Sequence, residues 1–425
     1  MSIPRKSHEM LRLNCYITSF VIAFVITIIL IPMALSVSAP SNPDSHWYIN
    51  MAEGNYQETA KPFSYRVLYP FLAQKLTLLT HDVRSSFIVL ALVSIFLLLF
   101  AVILLLMSKT TLPKILIISL FFTPYIMSLL KEYYLPDLCH AAIISCFFLT
   151  TIIFNRWYGI LWLLPLFLTR ESTILLSLTI ILITFYNREN KLAMAALITT
   201  FIAIAISIYI SSVAPSMPNL HRVNDLLYLF GKIPFNFLRN VLGVYTWFNV
   251  NDYHHPIVIL KMPKYIHLGA IKTIVFGCLN FDRPLRTLIT LLTYFGTLPI
   301  ILLSIVKFRR KYLNNDIWLP VAVVYGLLTF CLGPSLGSSV ERLVGFGWPA
   351  FLIATPILLA KYCQDKYLLI GLFSLSFLTS WLPFLGNWIF VNPLFGQLFV
   401  IVFAALLHYY TYRMLNNWRN KGAIT

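Results

Sequence analysis

Long apolar runs without alternation, separated by short basic segments, dominate this chain. They fall near residues 13–36, 85–107, 113–131, 138–154, 157–169, 172–187, 191–213, 285–307, 316–334, 343–362, 366–384 and 390–412. A spanning helix needs about 20 apolar residues, so most of these runs predict transmembrane α-helices. Two are short, and they meet at Thr169-Arg170-Glu171-Ser172. One broken helix or a re-entrant pair fits there as well as two spans. The pattern predicts an all-α polytopic membrane protein of about 10–12 helices. It forms a single transmembrane domain over 1–425 with no separate soluble domain. Strands of a membrane barrel alternate apolar and polar residues. These runs do not, so a β-barrel is excluded.

Two stretches between the runs are too long to be plain connectors: 37–84 and 214–284. The first contains amphipathic sequence from Tyr65 to Leu76, which predicts helices lying in the interface plane. The second mixes charged residues with aromatics (Tyr245, Trp247, Phe248, Tyr253) and predicts a membrane-skimming loop. No internal repeat is evident, including the inverted kind found in many transporters.

Composition narrows the class further. Hydrophobic residues make up 59% of the chain and charged residues 11%, against about 25% charged in a soluble domain. A water-soluble enzyme, a disordered protein and a disulfide scaffold are all excluded. The net charge of +17 does not imply a nucleic-acid partner, because the basic residues punctuate the apolar runs and form no stripe. Such an excess sets orientation and attracts membrane lipids. The six cysteines show no metal-ligand spacing, and His254-His255 have no carboxylate or Cys at ligand spacing.

Arg5, Lys6 and Arg12 precede the first run, and Ser36-Val-Ser-Ala follows it. The run exceeds a signal-peptide core, so it reads as a retained span. Lys109, Lys114, Arg156, Arg188, Lys191, the basic segment 307–311, Arg413, Arg419 and Lys421 all fall on one side if that span exits the cytoplasm. Both termini are then cytoplasmic, and 37–84 and 214–284 face outward.

Only fifteen residues are acidic, and the informative ones sit near the outer ends of runs. Asp44 lies just past the first run, beside Trp47 and Tyr48. Asp137 follows Pro136 in a very short loop. Arg66 lies in Pro62-Phe-Ser-Tyr-Arg-Val-Leu-Tyr-Pro70. Arg170-Glu171 breaks an apolar stretch, and Glu341-Arg342 stands between two runs. Each has a structural alternative. Asp44 suits a helix N-cap. Asp137 suits a first helical turn, where it complements the dipole. Arg170 and Glu171 suit an internal ion pair. Arg342 suits snorkelling to the interface, and Arg66 a headgroup anchor. The functional reading rests on joint placement, since intramembrane charge is costly and usually functional. Arginine grips phosphate with a planar fork. A carboxylate can accept the proton of an attacking hydroxyl. Those are the parts needed to move a sugar off a lipid phosphate.

The pattern resembles the C-type (GT-C) integral-membrane glycosyltransferase superfamily. Asp44-Ser-His-Trp-Tyr-Ile-Asn-Met-Ala is similar to the start of that family's first outer loop. The 62–70 segment is similar to a Pro-Phe-x-x-Arg-x-Leu-x-Pro segment of its bacterial members. Thr169-Arg170-Glu171, Glu341-Arg342 with Pro349, and Asp137 have counterparts there too. The resemblance implies a polyprenyl-phosphate-linked sugar donor and an extracytoplasmic active site in a bacterial inner membrane. It usually implies inversion at the anomeric carbon. It also implies Asp44 as general base, with Asp137 as the second carboxylate. Arg66, Arg170 and Arg342 would bind the donor phosphate, with Trp47, Tyr48, Glu171 and Glu341 in support. No metal or other cofactor is expected, because arginines can neutralise a monophosphate. The absence of a soluble domain after the last run favours a glycolipid or polysaccharide acceptor, as in enzymes that decorate O-antigen or other lipopolysaccharide parts. A transporter or lipid-linked-glycan flippase is the alternative. It calls for charges strung through the midplane and for repeat symmetry.

The charge bias predicts the orientation directly. Membrane-impermeant thiol labelling of cysteines introduced singly at 240–280 should occur only from the extracytoplasmic side. Labelling from the cytoplasmic side alone would overturn this topology.

Overall fold

The computed structural model describes residues 5–37, 40, 42–60, 63–154, 157–213, 233–234, 236–243, 282–308, 316–337, 339–363 and 365–422. Most of the predicted outer loop 214–284, including His254-His255, lies outside these residues, as do Arg156 and 309–311.

Every regular element among the described residues is helical. In order these are α1 (Arg5–Leu35), α2 (Ser45–Ala52), α3 (Leu68–Thr80), α4 (Val83–Lys109), α5 (Lys114–Ser119), α6 (Pro124–Lys131), α7 (Asp137–Phe154), α8 (Leu163–Thr169) and α9 (Thr173–Tyr186). They continue with α10 (Asn190–Val213), α11 (Asp282–Thr293), α12 (Leu298–Phe308), α13 (Trp318–Leu336), α14 (Val340–Gly345), α15 (Trp348–Tyr362), α16 (Lys366–Ile389) and α17 (Pro393–Gly422).

Among the described residues seven helices are long and apolar enough to cross a membrane: α1, α4, α7, α10, α13, α16 and α17. The bent pair α11 and α12 brings the number to 8 if it counts as one span. This is a polytopic all-helical membrane protein. Seven or eight is fewer than the ten to twelve apolar runs suggest, and backbone breaks account for the difference. The run at 113–131 is cut before Pro124, which opens α6 at its first turn. The run at 343–362 is cut between α14 and α15. The segments Tyr158–Thr169, Thr173–Tyr186 and Trp348–Tyr362 are apolar but shorter than a span. By their contacts the residues group into two compact units. One holds Met1–Pro218, Leu298–Gly326 and Trp348–Phe373, and the other holds Asn219–Thr297, Leu327–Gly347 and Ser374–Thr425.

In the first unit α4 is central, packing on α1, α3, α7 and α15. Its apolar residues run all round the helix, and such a helix is either buried or in lipid. Most of α4 and α7 is buried, whereas α1 and α10 leave most of their surface outside the packed interior, as lipid-facing helices do. Asp82 caps α4 by accepting from the Ser85 amide at 2.8 Å. The first loop is tied down close by. Arg84 donates to Val37 O at 2.7 Å and to the Tyr133 hydroxyl at 3.2 Å. Tyr69 on α3 donates to Tyr133 O at 2.6 Å. The stretch 37–84 forms two helices, α2 and α3.

In the second unit α11 packs on α14, α17 and a π-helical turn at Leu238–Leu242. From that turn the Asn240 amide donates to Pro334 O and Gly337 O, both at 2.8 Å, closing the end of α13. His408 Nε2 donates to Leu292 O at 2.8 Å. Gly296, at the break after α11, has φ +54°, and a β-carbon there would collide with the Ser376 carbonyl.

Gly296→Ala therefore adds left-handed strain of about 1–3 kcal/mol to a backbone clash. A clear fall in melting temperature at fixed scan rate in detergent is expected. An unchanged melting temperature would remove this account of the break.

Candidate functional site

The site is built on two arginines that the fold buries. Arg66 follows the short 3₁₀ turn Phe63–Tyr65, which aims its side chain into the first unit. Its guanidinium forks onto Glu171: Nε donates to Oε2 at 2.7 Å and Nη2 donates to Oε1. Nη1 donates to the Tyr48 hydroxyl at 2.8 Å. The guanidinium also lies over the Phe63 ring, 5.2 Å from its centre. Burial alone would weaken the Arg66 charge. Glu171 and Tyr48 more than offset this and hold its pKa well above the usual arginine value. Desolvation likewise opposes the Glu171 charge, and Arg66 outweighs it, holding the carboxyl well below the usual range. Arg66 is buried, while half of the Glu171 side chain is exposed.

The next residue back along the chain makes the second pair. Arg170 ends α8 with extended backbone and is ion-paired through Nη2 to Asp137 Oδ1. Both side chains are about 95% buried, at 5% and 4% exposure. Asp137 sits in the first turn of α7, where its charge complements the helix dipole. Three residues further along α7, on the same face, His140 Nδ1 lies 3.0 Å from Thr169 Oγ1. Neighbouring residues at the end of α8 thus reach neighbouring positions at the start of α7.

Asp44 is coupled to this corner through α2. It directly precedes that helix, but its side chain makes no capping hydrogen bond, unlike Asp82 on α4. The helix-cap alternative for Asp44 is therefore not what the structure shows. Tyr48 lies one turn along α2 from Asp44 and receives the Arg66 hydrogen bond. The Tyr48 ring is fully buried, and its hydroxyl accepts from Arg66. Trp47 is half-buried and stacks on Phe63 with ring centres 5.9 Å apart.

An adjacent Glu cannot reach its own neighbour, but residues distant in the chain do: Asp137 pairs with Arg170, and Arg66 takes Glu171. Glu341 and Arg342 lie on α14 in the second unit, Glu341 exposed and Arg342 partly buried. Of the nine residues expected from sequence, Asp44, Trp47, Tyr48, Arg66, Asp137, Arg170 and Glu171 lie in the first unit. All but Asp44 and Trp47 take part directly in the two ion-pair clusters. Sequence reasoning missed His140 and Arg84. A histidine at i+3 from Asp137 was the available signal for His140; nothing local marked Arg84. Among the described residues no group of three or more His, Cys, Asp or Glu side chains gathers as a metal site would.

No family model, characterised protein or solved structure matches the chain. What the fold and the site define is the class: an all-helical membrane protein with a buried, paired charge cluster at one corner of its first unit.

The two pairs should differ in cost when broken. Removing one partner of a fully buried pair costs about 3–5 kcal/mol, so Asp137→Asn should destabilise strongly. Glu171→Gln should cost less, because the lost carboxylate was half solvated. Denaturation in mixed micelles should return that order, and equal losses would show the burial assignment to be wrong.

Proposed function

We propose that this protein is a membrane glycosyltransferase that moves a sugar from a polyprenyl-phosphate carrier to a glycolipid or polysaccharide acceptor. The reading rests on the sequence resemblance, supported by one observation. The Tyr48–Arg66–Glu171 link hooks the Asp44 helix onto the corner where Arg170 meets Asp137. These contacts bring segments of the resemblance at 44–52, 63–70, 137 and 169–172 together in the first unit, which supports reading them as one site.

In the proposed reaction an acceptor hydroxyl attacks the anomeric carbon. Its proton passes to Asp44, and the bond from that carbon to the phosphate oxygen breaks. Polyprenyl monophosphate leaves, and attack from the opposite face inverts the anomeric centre. Trp47 offers an aromatic face beside Asp44 for the sugar. Arg170 carries more N–H donors than one carboxylate uses, so it can hold Asp137 and still stabilise the departing phosphate. Arg342 is the second phosphate-binding candidate, on the resemblance alone. Arg66, Tyr48 and Glu171 fix the geometry, and Asp137 balances Arg170. The site faces the extracytoplasmic side in this reading, with both termini in the cytoplasm.

Incubating purified protein with a labelled polyprenyl-phosphate sugar and an extracted glycan acceptor tests the proposal. Transfer of label is expected. Asp44→Asn should cut turnover by about 10²–10⁴-fold at unchanged expression and melting temperature. Near-wild-type turnover would remove Asp44 as the base. Movement of label between leaflets without transfer would replace the transferase reading with that of a flippase.

A further inference from the structure

His140 is fully buried, titratable, and has no part in the reaction just described. Its hydrogen bonding fixes its chemical form. The Thr169 hydroxyl has one hydrogen, which it donates to Leu166 O at 2.6 Å. The same carbonyl accepts the Arg170 amide at 2.9 Å. With its hydrogen committed, Thr169 Oγ1 can only accept from His140 Nδ1, 3.0 Å away. Nδ1 therefore carries the ring hydrogen, and in the neutral ring Nε2 carries the lone pair.

This bond holds more than a threonine. Thr169 is the last residue of α8, and Arg170 follows it in extended conformation. On its other side Arg170 O accepts from the Thr173 hydroxyl at 2.8 Å, which fixes the start of α9. His140 and Asp137 share one face of α7, and Thr169 and Arg170 are consecutive. The His140–Thr169 bond and the Asp137–Arg170 ion pair thus run side by side between the same two helix ends. A long arginine side chain loses its specific placement if its backbone shifts. The neutral bond fixes the backbone, and the ion pair then fixes the guanidinium.

We propose that His140 is a positioning residue: its Nδ1–H, through Thr169, holds the Arg170 backbone so that the guanidinium stands against Asp137 and beside the donor phosphate. The donor-phosphate part rests on the transferase reading above; the positioning of Arg170 against Asp137 does not.

The test separates the two ring nitrogens. The amide of Asn reaches the place of Nδ1, and that of Gln reaches the place of Nε2. His140→Asn should keep the wild-type melting temperature, while His140→Gln and Thr169→Val should each lower it. The His140→Gln/Thr169→Val double variant should lose no more than the worse single variant, because both remove one bond. His140→Gln and Arg170→Lys should likewise be non-additive. Additive losses in these cycles would overturn the proposal without any substrate. In the transfer assay, folded His140→Gln should raise the donor KM about tenfold or more with kcat largely kept, and His140→Asn should restore it. A purely structural role would instead lower the amount of folded enzyme and leave KM unchanged, and that result would also overturn the proposal. If the wild-type protein transfers no sugar, the transferase reading falls, and the melting cycles still decide whether His140 positions Arg170.

Discussion

A charge taken out of water must meet an opposite charge, and this requirement organises the first unit. Arg170 and Asp137 are both buried, and neither is tolerable alone. Their pairing joins the end of α8 to the start of α7. Arg66 extends the same constraint. Its fork onto Glu171 and its bond to Tyr48 draw in the first loop, including α2 and the turn before α3. Without these pairs a loop of polar and aromatic residues would have little reason to adopt one position on a bundle of apolar helices.

The apolar packing supplies a frame and not the specificity. Helix α15 is buried nearly all round, and α4 is buried except along a stripe through Val89, Val93 and Leu97; both owe their burial to length and composition. Between helices in lipid there is no hydrophobic driving force, so hydrogen bonds and close fit decide the arrangement. In the first unit the decisive contacts are Arg84 with Val37 and Tyr133, and Tyr69 with Tyr133. In the second unit they are Asn240 on the end of α13 and Gly296 against the Ser376 carbonyl. A few polar contacts at helix ends do the positioning in both.

The site combines a buried, rigid part with three more open residues. Arg66, Tyr48, Asp137, Arg170 and His140 are buried and held by the Arg66–Tyr48, Arg170–Asp137 and His140–Thr169 contacts. Glu171 is half exposed, and Trp47 and Asp44 are only partly buried. In the proposed transfer, a preorganised charged wall need not rearrange as charge develops.

Some of this was legible in the residues alone. Apolar runs of spanning length and scarce charge determine an all-helical membrane protein, because only a helix satisfies its own backbone hydrogen bonds in lipid. The same scarcity singled out Asp44, Arg66, Asp137, Arg170 and Glu171, since each charge near a span needs a reason to be there. The number of spans was not legible, because hydropathy counts apolar residues and does not see the breaks before Pro124 and Trp348. Nor was the pairing. Adjacent in sequence, Arg170 and Glu171 point to different partners, and the fold brings Asp137 and Arg66 to them from 33 and 105 positions away. Which arginine meets which carboxylate depends on how α2, α7, α8 and α9 pack. That is a property of three-dimensional contact, which no local pattern of residues encodes.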